Sequence, residues 1–203
     1  MHALEFIAAD VDVHREPLVE LNVAYLTWVF EELAALLGVS VHTLIGQSVE
    51  AHVRAGINEL CGCKPPAGRF YLLRVRSASA GASDESPDWL WAGMGGLRDL
   101  GKLSQGVAEI KRVYIRPAFR GQALASQLMQ RLLADASMLG YQRVCLDSAQ
   151  FMQGAHRLYE RHGFVDAAAY PGTEVPAELH PHWRFMARSL GAGAPSLDPA
   201  ASA

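Results

Sequence analysis

Apolar positions follow two rhythms in the middle of this chain. From Val107 to Ile115 apolar and β-branched residues alternate, the period of a strand. Pro117 ends that run. Beyond it Ala125, Leu128, Met129, Leu132, Leu133, Ala136 and Leu139 recur at the i, i+3, i+4, i+7 spacing of a helix, and Gly140 supplies a stop. Earlier in the chain, residues 3–8 predict a short strand, and Pro17 opens a helical pattern to about Leu37, closed by Gly38. The apolar face of that helix comprises Leu18, Leu21, Tyr25, Trp28, Val29, Leu33 and Leu36. Ser40 is placed to cap a second helix carrying Leu44, Val49, Val53 and Ile57. Phe70–Arg76 and Asp88–Leu97 predict two strands, joined by a small, polar hairpin loop. Gly93, Gly95 and Gly96 in the second of these point to a bulge or a close backbone approach.

After the central helix, Arg143–Ser148 reads as a strand, parallel to 107–115 because a helix intervenes. Phe151–His162 predicts a helix ending at Gly163, and 164–170 and 182–188 a final strand pair. Residues 1–190 read as one domain, and 191–203, small and aperiodic, as a disordered tail.

Composition narrows the function. The chain has 203 residues, half of them apolar, enough for a substantial core. A formal net charge of -3 argues against gripping nucleic acid by its phosphates. No stretch has the length and apolarity of a membrane span, and no secretory signal is visible. Cys61, Cys63 and Cys145 do not make a disulfide framework and suit a reducing cytoplasm. Cys61-Gly62-Cys63 with His52 lacks the ligands of a zinc site, so no metal is expected.

The chemistry is carried by the turn between the central strand and helix. Unpartnered N–H groups and the dipole at a helix start favour an anion, and the small residues Gly121, Ala123 and Ala125 let a phosphate approach the backbone. Arg120 can add a charge-assisted contact. A plain connection with short side chains for packing is the other reading of the turn alone. Neither a P-loop nor a G-x-G-x-x-G helix opening is present.

The turn reads Arg120-x-x-Ala123-x-Ala125, which resembles the coenzyme A signature Arg/Gln-x-x-Gly-x-Gly/Ala of the GNAT superfamily of N-acetyltransferases, with Ala123 at the glycine position. The flanking IKRVYIRPAFRG resembles that superfamily's fourth strand and following loop. Residues 155–164, AHRLYERHGF, resemble its A-x-x-L-Y-x-x-x-G-F ending.

The resemblance implies an α/β (α+β) fold: a mixed sheet of about seven strands flanked by helices, with parallel strands four and five splayed. It implies acetyl-CoA as cosubstrate, with pantetheine along the backbone of Val113, Tyr114 and Ile115. The pyrophosphate would lie on Arg120, Gly121, Gln122, Ala123, Leu124, Ala125 and Ser126. Tyr159 matches the family's tyrosine near the coenzyme sulfur, a candidate general acid; packing is its plainer role. Glu109 stands where many relatives place a base, and strand alternation puts it on one face with Lys111, Val113 and Ile115. A surface glutamate paired with a cation is the plainer role. Tyr25, Trp28 and Glu31, with Glu32, are candidate acceptor contacts on the first helix, and Asp147, with Ser148 and Gln150, follows the fifth strand toward pantetheine or acceptor. Cys145, mid-strand among apolar neighbours, reads as an inert thiol. The implied reaction is direct acetyl transfer to a small-molecule amine. A protein acetyltransferase acting on lysine or an N-terminus, or a non-catalytic acyl-CoA-binding module, stays open, as does a homodimer.

Overall fold

The computed structural model describes residues 3–76, 89–101 and 104–191. Its elements are β1 (Leu4–Ala8), α1 (Arg15–Leu37), α2 (Val41–Ile45), α3 (Val49–Cys61), β2 (Gly68–Arg76), β3 (Trp89–Asp99), β4 (Val107–Ile115), α4 (Leu124–Met138), β5 (Arg143–Ala149), α5 (Gln153–Arg161), β6 (Val165–Asp166) and β7 (Trp183–Ser189). The strands form a seven-stranded mixed sheet in the order β1-β2-β3-β4-β5-β7-β6. β1 pairs with β2, β5 with β7 and β6 with β7 in antiparallel sense, while β4 and β5 are parallel. The parallel pairing is registered at Val107↔Arg143, Ala108↔Val144 and Glu109↔Cys145, and both strands continue past that last pair. The expected hairpin loop between β2 and β3, and all of the expected tail but Gly191, lie outside the described residues.

The chain falls into two compact units. One draws on Met1–Lys64, Arg69–Gly96 and Arg112–Leu124, the other on Pro65–Gly68, Leu97–Lys111 and Ala125–Ala203. In the first, α1 buries Leu18, Val19, Leu21, Leu26, Val29 and Leu33, while Leu36 in its last turn is exposed. The helix begins two residues before Pro17, which sits in the first turn, where a missing N–H breaks no helical bond. The single second helix expected after Ser40 is in fact two. Gly46 takes a left-handed φ of 68° that closes α2, and Ser48 accepts from Ala51 N to start α3 afresh. Val53 and Ile57 of α3 join Leu18, Leu21, Phe70, Leu72, Met94 and Tyr114 in the core of this unit.

In the second unit α4 buries Leu128, Met129, Leu132, Leu133 and Ala136, the face its periodicity predicts, and Gly140 follows at φ 84°. The expected strand over 164–170 shortens to Val165–Asp166. Ala167 N still donates to Phe185 O, after which the chain leaves the sheet. Tyr170 is instead buried by its ring, edge-on to Phe185 at 6.0 Å, so the segment is anchored by a side chain rather than by a ladder. β3 runs two residues further than expected, which brings Arg98 into the strand. Among the described residues no single helix is long and apolar enough to cross a membrane.

Gly93 marks a close approach in the first unit. A Cβ there would lie 2.5 Å from both the Tyr114 carbonyl oxygen and Ile115 Cδ1. Backbone cannot yield as a flexible side chain can, so Gly93→Ala is expected to cost about 1–3 kcal/mol. Urea unfolding measures it, and an unchanged midpoint would contradict the close approach.

Candidate active site

The site grows from one buried carboxylate. Glu109 lies in β4 beside Cys145 of β5, in the second unit, and is 3% exposed. A charge so placed needs partners, and three elements supply them. Arg98, at the end of β3, donates from Nε to Glu109 Oε2. The same guanidinium reaches Gly172 O at 2.9 Å and Glu174 Oε1 at 2.8 Å. Lys111, two residues along β4, gives a second ion pair to Glu174 at 2.5 Å. Tyr170 Oη lies 2.7 Å from Glu109 Oε1 and 2.9 Å from Asp147 Oδ2. Asp147 also accepts from Thr173 Oγ1 and from Trp183 Nε1, each at 3.1 Å.

Burial pushes the Glu109 pKa above its ordinary 4.5, as does the Asp147 carboxylate. The Lys111 and Arg98 cations and the Tyr170 hydrogen bond oppose that rise without cancelling it. Burial and the two carboxylates push the Tyr170 phenol upward, so it stays a neutral donor. The same causes raise the Cys145 thiol, which points to the Ala108 carbonyl at 3.5 Å and is not a nucleophile at neutral pH.

The alternation that joins Glu109 to Lys111 does not carry through to Val113 and Ile115. Arg112 stands between them at φ 59°, and a left-handed residue inside a strand is the mark of a bulge. In the first unit Arg112 lies over the Tyr25 ring at 5.9 Å, and Tyr114 meets Tyr25 at 5.6 Å. Trp28 packs at 6.5 Å from Tyr25, and Glu31 is exposed on α1. A cavity of about 520 Å³ in this unit is lined by Glu16, Glu20, Val23, Glu50, Arg54 and Trp91, along the first half of α1 rather than beside Tyr25, Trp28 and Glu31.

The turn after β4 has the build of an anion site. A 3₁₀ turn over Pro117–Phe119 leads to Arg120, whose Nε donates to Ile115 O at 3.1 Å. Gly121 and Ala123 are both left-handed, at φ 78° and 59°, and α4 starts at Leu124. A Cβ on Gly121 would meet nothing within 4 Å, so the turn is open on that side. Left-handed residues running into a helix start gather backbone N–H groups into a concavity for phosphate. Ser126, in the first turn of α4, shares a 2.9 Å hydrogen bond with His162 Nε2. Burial, then Arg188, lowers the His162 pKa, which favours the neutral ring.

Tyr159 lies on α5, buried, its ring 6.1 Å from Phe164. His156, one turn earlier, is also buried, and its Nε2 finds no hydrogen-bond partner among the described residues. Burial, then Arg184, lowers its pKa. The structure thus brings Glu109 and Asp147 together through Tyr170, and Tyr25 together with Tyr114. Sequence reasoning missed Arg98, Tyr170, Thr173, Glu174 and Trp183, which belong to no motif. The one signal for Glu174 was its place in the connection before the last strand, whereas Tyr170 was read as the end of the strand that precedes it.

Residues 64–164 match the model of the Acetyltransferase (GNAT) family. Over 72 residues the chain is 33% identical to the uncharacterized N-acetyltransferase YjgM of Escherichia coli, a match covering 36% of this chain and 43% of that protein. The chain spans less than half the length of the curated relatives it matches. A GNAT-family acetyltransferase from Staphylococcus aureus superposes with a TM-score of 0.63 at 14% identity, over 93% of this chain and 100% of that one. A spermidine N-acetyltransferase from Vibrio cholerae, solved with CoA and spermine, gives 0.51 at 18% identity, over 92% and 95%. The fold is that of an acyltransferase class, and the chain belongs to the GNAT superfamily of N-acetyltransferases. The family uses acetyl-CoA, and the open, left-handed turn into α4 fits its pyrophosphate.

Three substitutions at two positions test that turn. Ala123→Gly relieves a left-handed L-residue at some cost in chain entropy, a net gain of about 0.5–1 kcal/mol by urea unfolding; a loss of stability would refute the strain. Gly121→Ala brings backbone strain alone, whereas Gly121→Asp adds a negative charge. Acetyl-CoA affinity by calorimetry should fall about tenfold further in Gly121→Asp than in Gly121→Ala. Equal affinities would move the phosphate elsewhere.

Proposed function

We propose that this chain moves the acetyl group of acetyl-CoA to the primary amine of a small-molecule or amino-acid-like acceptor, by direct attack in a ternary complex. The observation that carries the reading is Glu109: a buried carboxylate with a raised pKa, at the last registered pair of β4 and β5. An amine near neutral pH is mostly protonated and attacks only after losing a proton. A carboxylate whose pKa is raised toward neutrality is suited to take it, and Glu109 is that base in this reading.

The other residues have roles at stated atoms. Backbone groups of Val113, Tyr114 and Ile115 hold the pantetheine arm, and the N–H groups from Arg120 to Ser126 hold the pyrophosphate. Tyr159 donates its phenolic proton toward the departing sulfur. Asp147, beside Glu109 in the second unit, orients the acceptor in this reading, and Tyr25, Trp28 and Glu31 are the candidate acceptor contacts of the first unit. Cys61, Cys63 and Cys145, not in disulfides, fit a reducing cytoplasm, which is part of the same proposal.

A thiol-release assay with a panel of amines, polyamines and peptides tests the reading. Turnover of small amines is expected. Turnover of peptides alone would make the chain a protein acetyltransferase, and tight acetyl-CoA binding without turnover would make it a binding module. Tyr159→Phe removes one hydroxyl and keeps the ring. It should lower kcat roughly 10- to 1,000-fold with little change in coenzyme affinity; an unaltered kcat with chemistry limiting returns Tyr159 to packing. If ionised Glu109 is required, activity falls as pH drops through its raised pKa. The acidic limb of the kcat/KM profile then lies above the ordinary value of 4.5. Glu109→Gln should abolish that limb, leaving a profile that follows the amine's own pKa, and a wild-type rate and profile in the variant would exclude Glu109.

A further inference from the structure

Arg54, Arg74 and Arg116 of the first unit each hold a carboxylate: Arg54 pairs with Glu16 and Glu50, Arg74 with Glu5, and Arg116 with Glu20. Arg112 of the same unit differs. It is half-buried, and among the described residues its side chain has neither an ion pair nor a hydrogen bond. Its charge rests over the Tyr25 ring at 5.9 Å. That distance is near the limit of a cation–π contact, which offsets little of the cost of drawing a charge out of water. The N–H donors of the guanidinium are left for a ligand. The backbone aims that group. At φ 59° Arg112 is the left-handed residue of the β4 bulge, a conformation that an L-residue adopts only at a cost. A bulge turns a side chain off the face that strict alternation would give it. Here it turns the guanidinium toward α1, where Tyr25 meets Tyr114 at 5.6 Å and Trp28 at 6.5 Å. Tyr25 and Trp28 are half-buried, so each keeps part of its surface open. The result is a cation beside an apolar, aromatic wall.

We propose that Arg112 binds the carboxylate of the acceptor, and that the acceptor is an amino acid with an apolar or aromatic side chain. The proposal deepens the acetyltransferase reading and rests on it for the acetylation of the amine. The planar guanidinium fork matches a carboxylate, whose oxygens accept two parallel N–H bonds. The charges match one to one, whereas a phosphate dianion calls for more positive charge than one arginine gives. A guanidinium over a ring keeps its N–H edge free, so the Tyr25 contact and a carboxylate contact coexist. Tyr25 and Trp28 then meet the side chain of the amino acid through apolar surface. An alkylamine or a polyamine has no group for Arg112 and would set its ammonium against a like charge. Arg112 is therefore a specificity-determining residue that selects against amines without a carboxylate.

Calorimetry of the full chain, with CoA present and no acetyl donor, tests the site whether or not any amine is acetylated. Each amino acid is compared with its decarboxylated counterpart: L-phenylalanine with 2-phenylethylamine, and L-leucine with 3-methylbutylamine. The amino acids are expected to bind about 10- to 100-fold more tightly, the worth of hydrogen bonds between charged groups. Arg112→Gln should erase that difference and leave the affinity for acetyl-CoA unchanged. Arg112→Lys, a charge without the fork, should keep only part of it. Amino acids that bind no better than the amines, or a preference that survives in Arg112→Gln, would overturn the proposal while leaving the acetyltransferase reading intact. A loss of acetyl-CoA affinity alone would assign Arg112 to the coenzyme and overturn it as well. Should Arg112→Gln not fold, Arg112→Gly removes the side chain at an angle that glycine adopts freely, and the same comparison decides. With acceptors that turn over, Arg112→Gln should raise the KM for the amino acids about 10- to 100-fold and leave that for the amines unchanged. Equal effects on both would make Arg112 a packing residue only. With the binding preference present, absence of any acetylation counts against the acetyltransferase reading alone.

Discussion

A carboxylate inside a sheet has to be compensated where it stands, and in this structure Glu109 sets that demand. Hydrophobic packing alone would leave its desolvation uncompensated. The end of β3 answers with Arg98, β4 with the Lys111 charge, and the connection before β7 with Tyr170, while Glu174 pairs with both cations. Those bonds explain why the expected strand over 164–170 ends after Asp166. The chain leaves the ladder so that Tyr170 can reach the carboxylates, and the Phe185 ring covers it from the side.

What was legible in the sequence follows from the range of each signal. Periodicity and punctuation are local, and they located α1, α4, β4 and β5 closely. The capping serine at 48 and Gly46 were equally local, yet a continuous apolar pattern masked them and two helices read as one. The turn before α4 was legible through Arg120, Gly121 and Ala123, although the left-handed angle of Ala123 appears only in the backbone. That angle gives a physical reason for the glycine in the family's pattern at this position.

The polar cluster was legible only in part. Glu109 and Asp147 stood out as carboxylates on strands, but nothing in the order of residues says that a tyrosine 61 positions away lies between them. Arg98 was placed just beyond a strand that in fact contains it. The face shared by Glu109, Lys111, Val113 and Ile115 was inferred from strict alternation, which a single left-handed residue undoes. Long-range ion pairs and bulges leave no periodic trace, and these are the features that assemble the candidate site.

The connection from Tyr170 to Glu174 is fastened by ties of different character, with Gly172 and Thr173 also bonded between its ends. At Tyr170 the tie is a hydrogen bond between buried groups, which dissolved ions cannot reach. At Glu174, 43% exposed, the ties include the contacts to Arg98 and Lys111, which solvent reaches. Ionic strength screens the second far more than the first. Rising salt therefore weakens the Glu174 end of this segment more than the Tyr170 end.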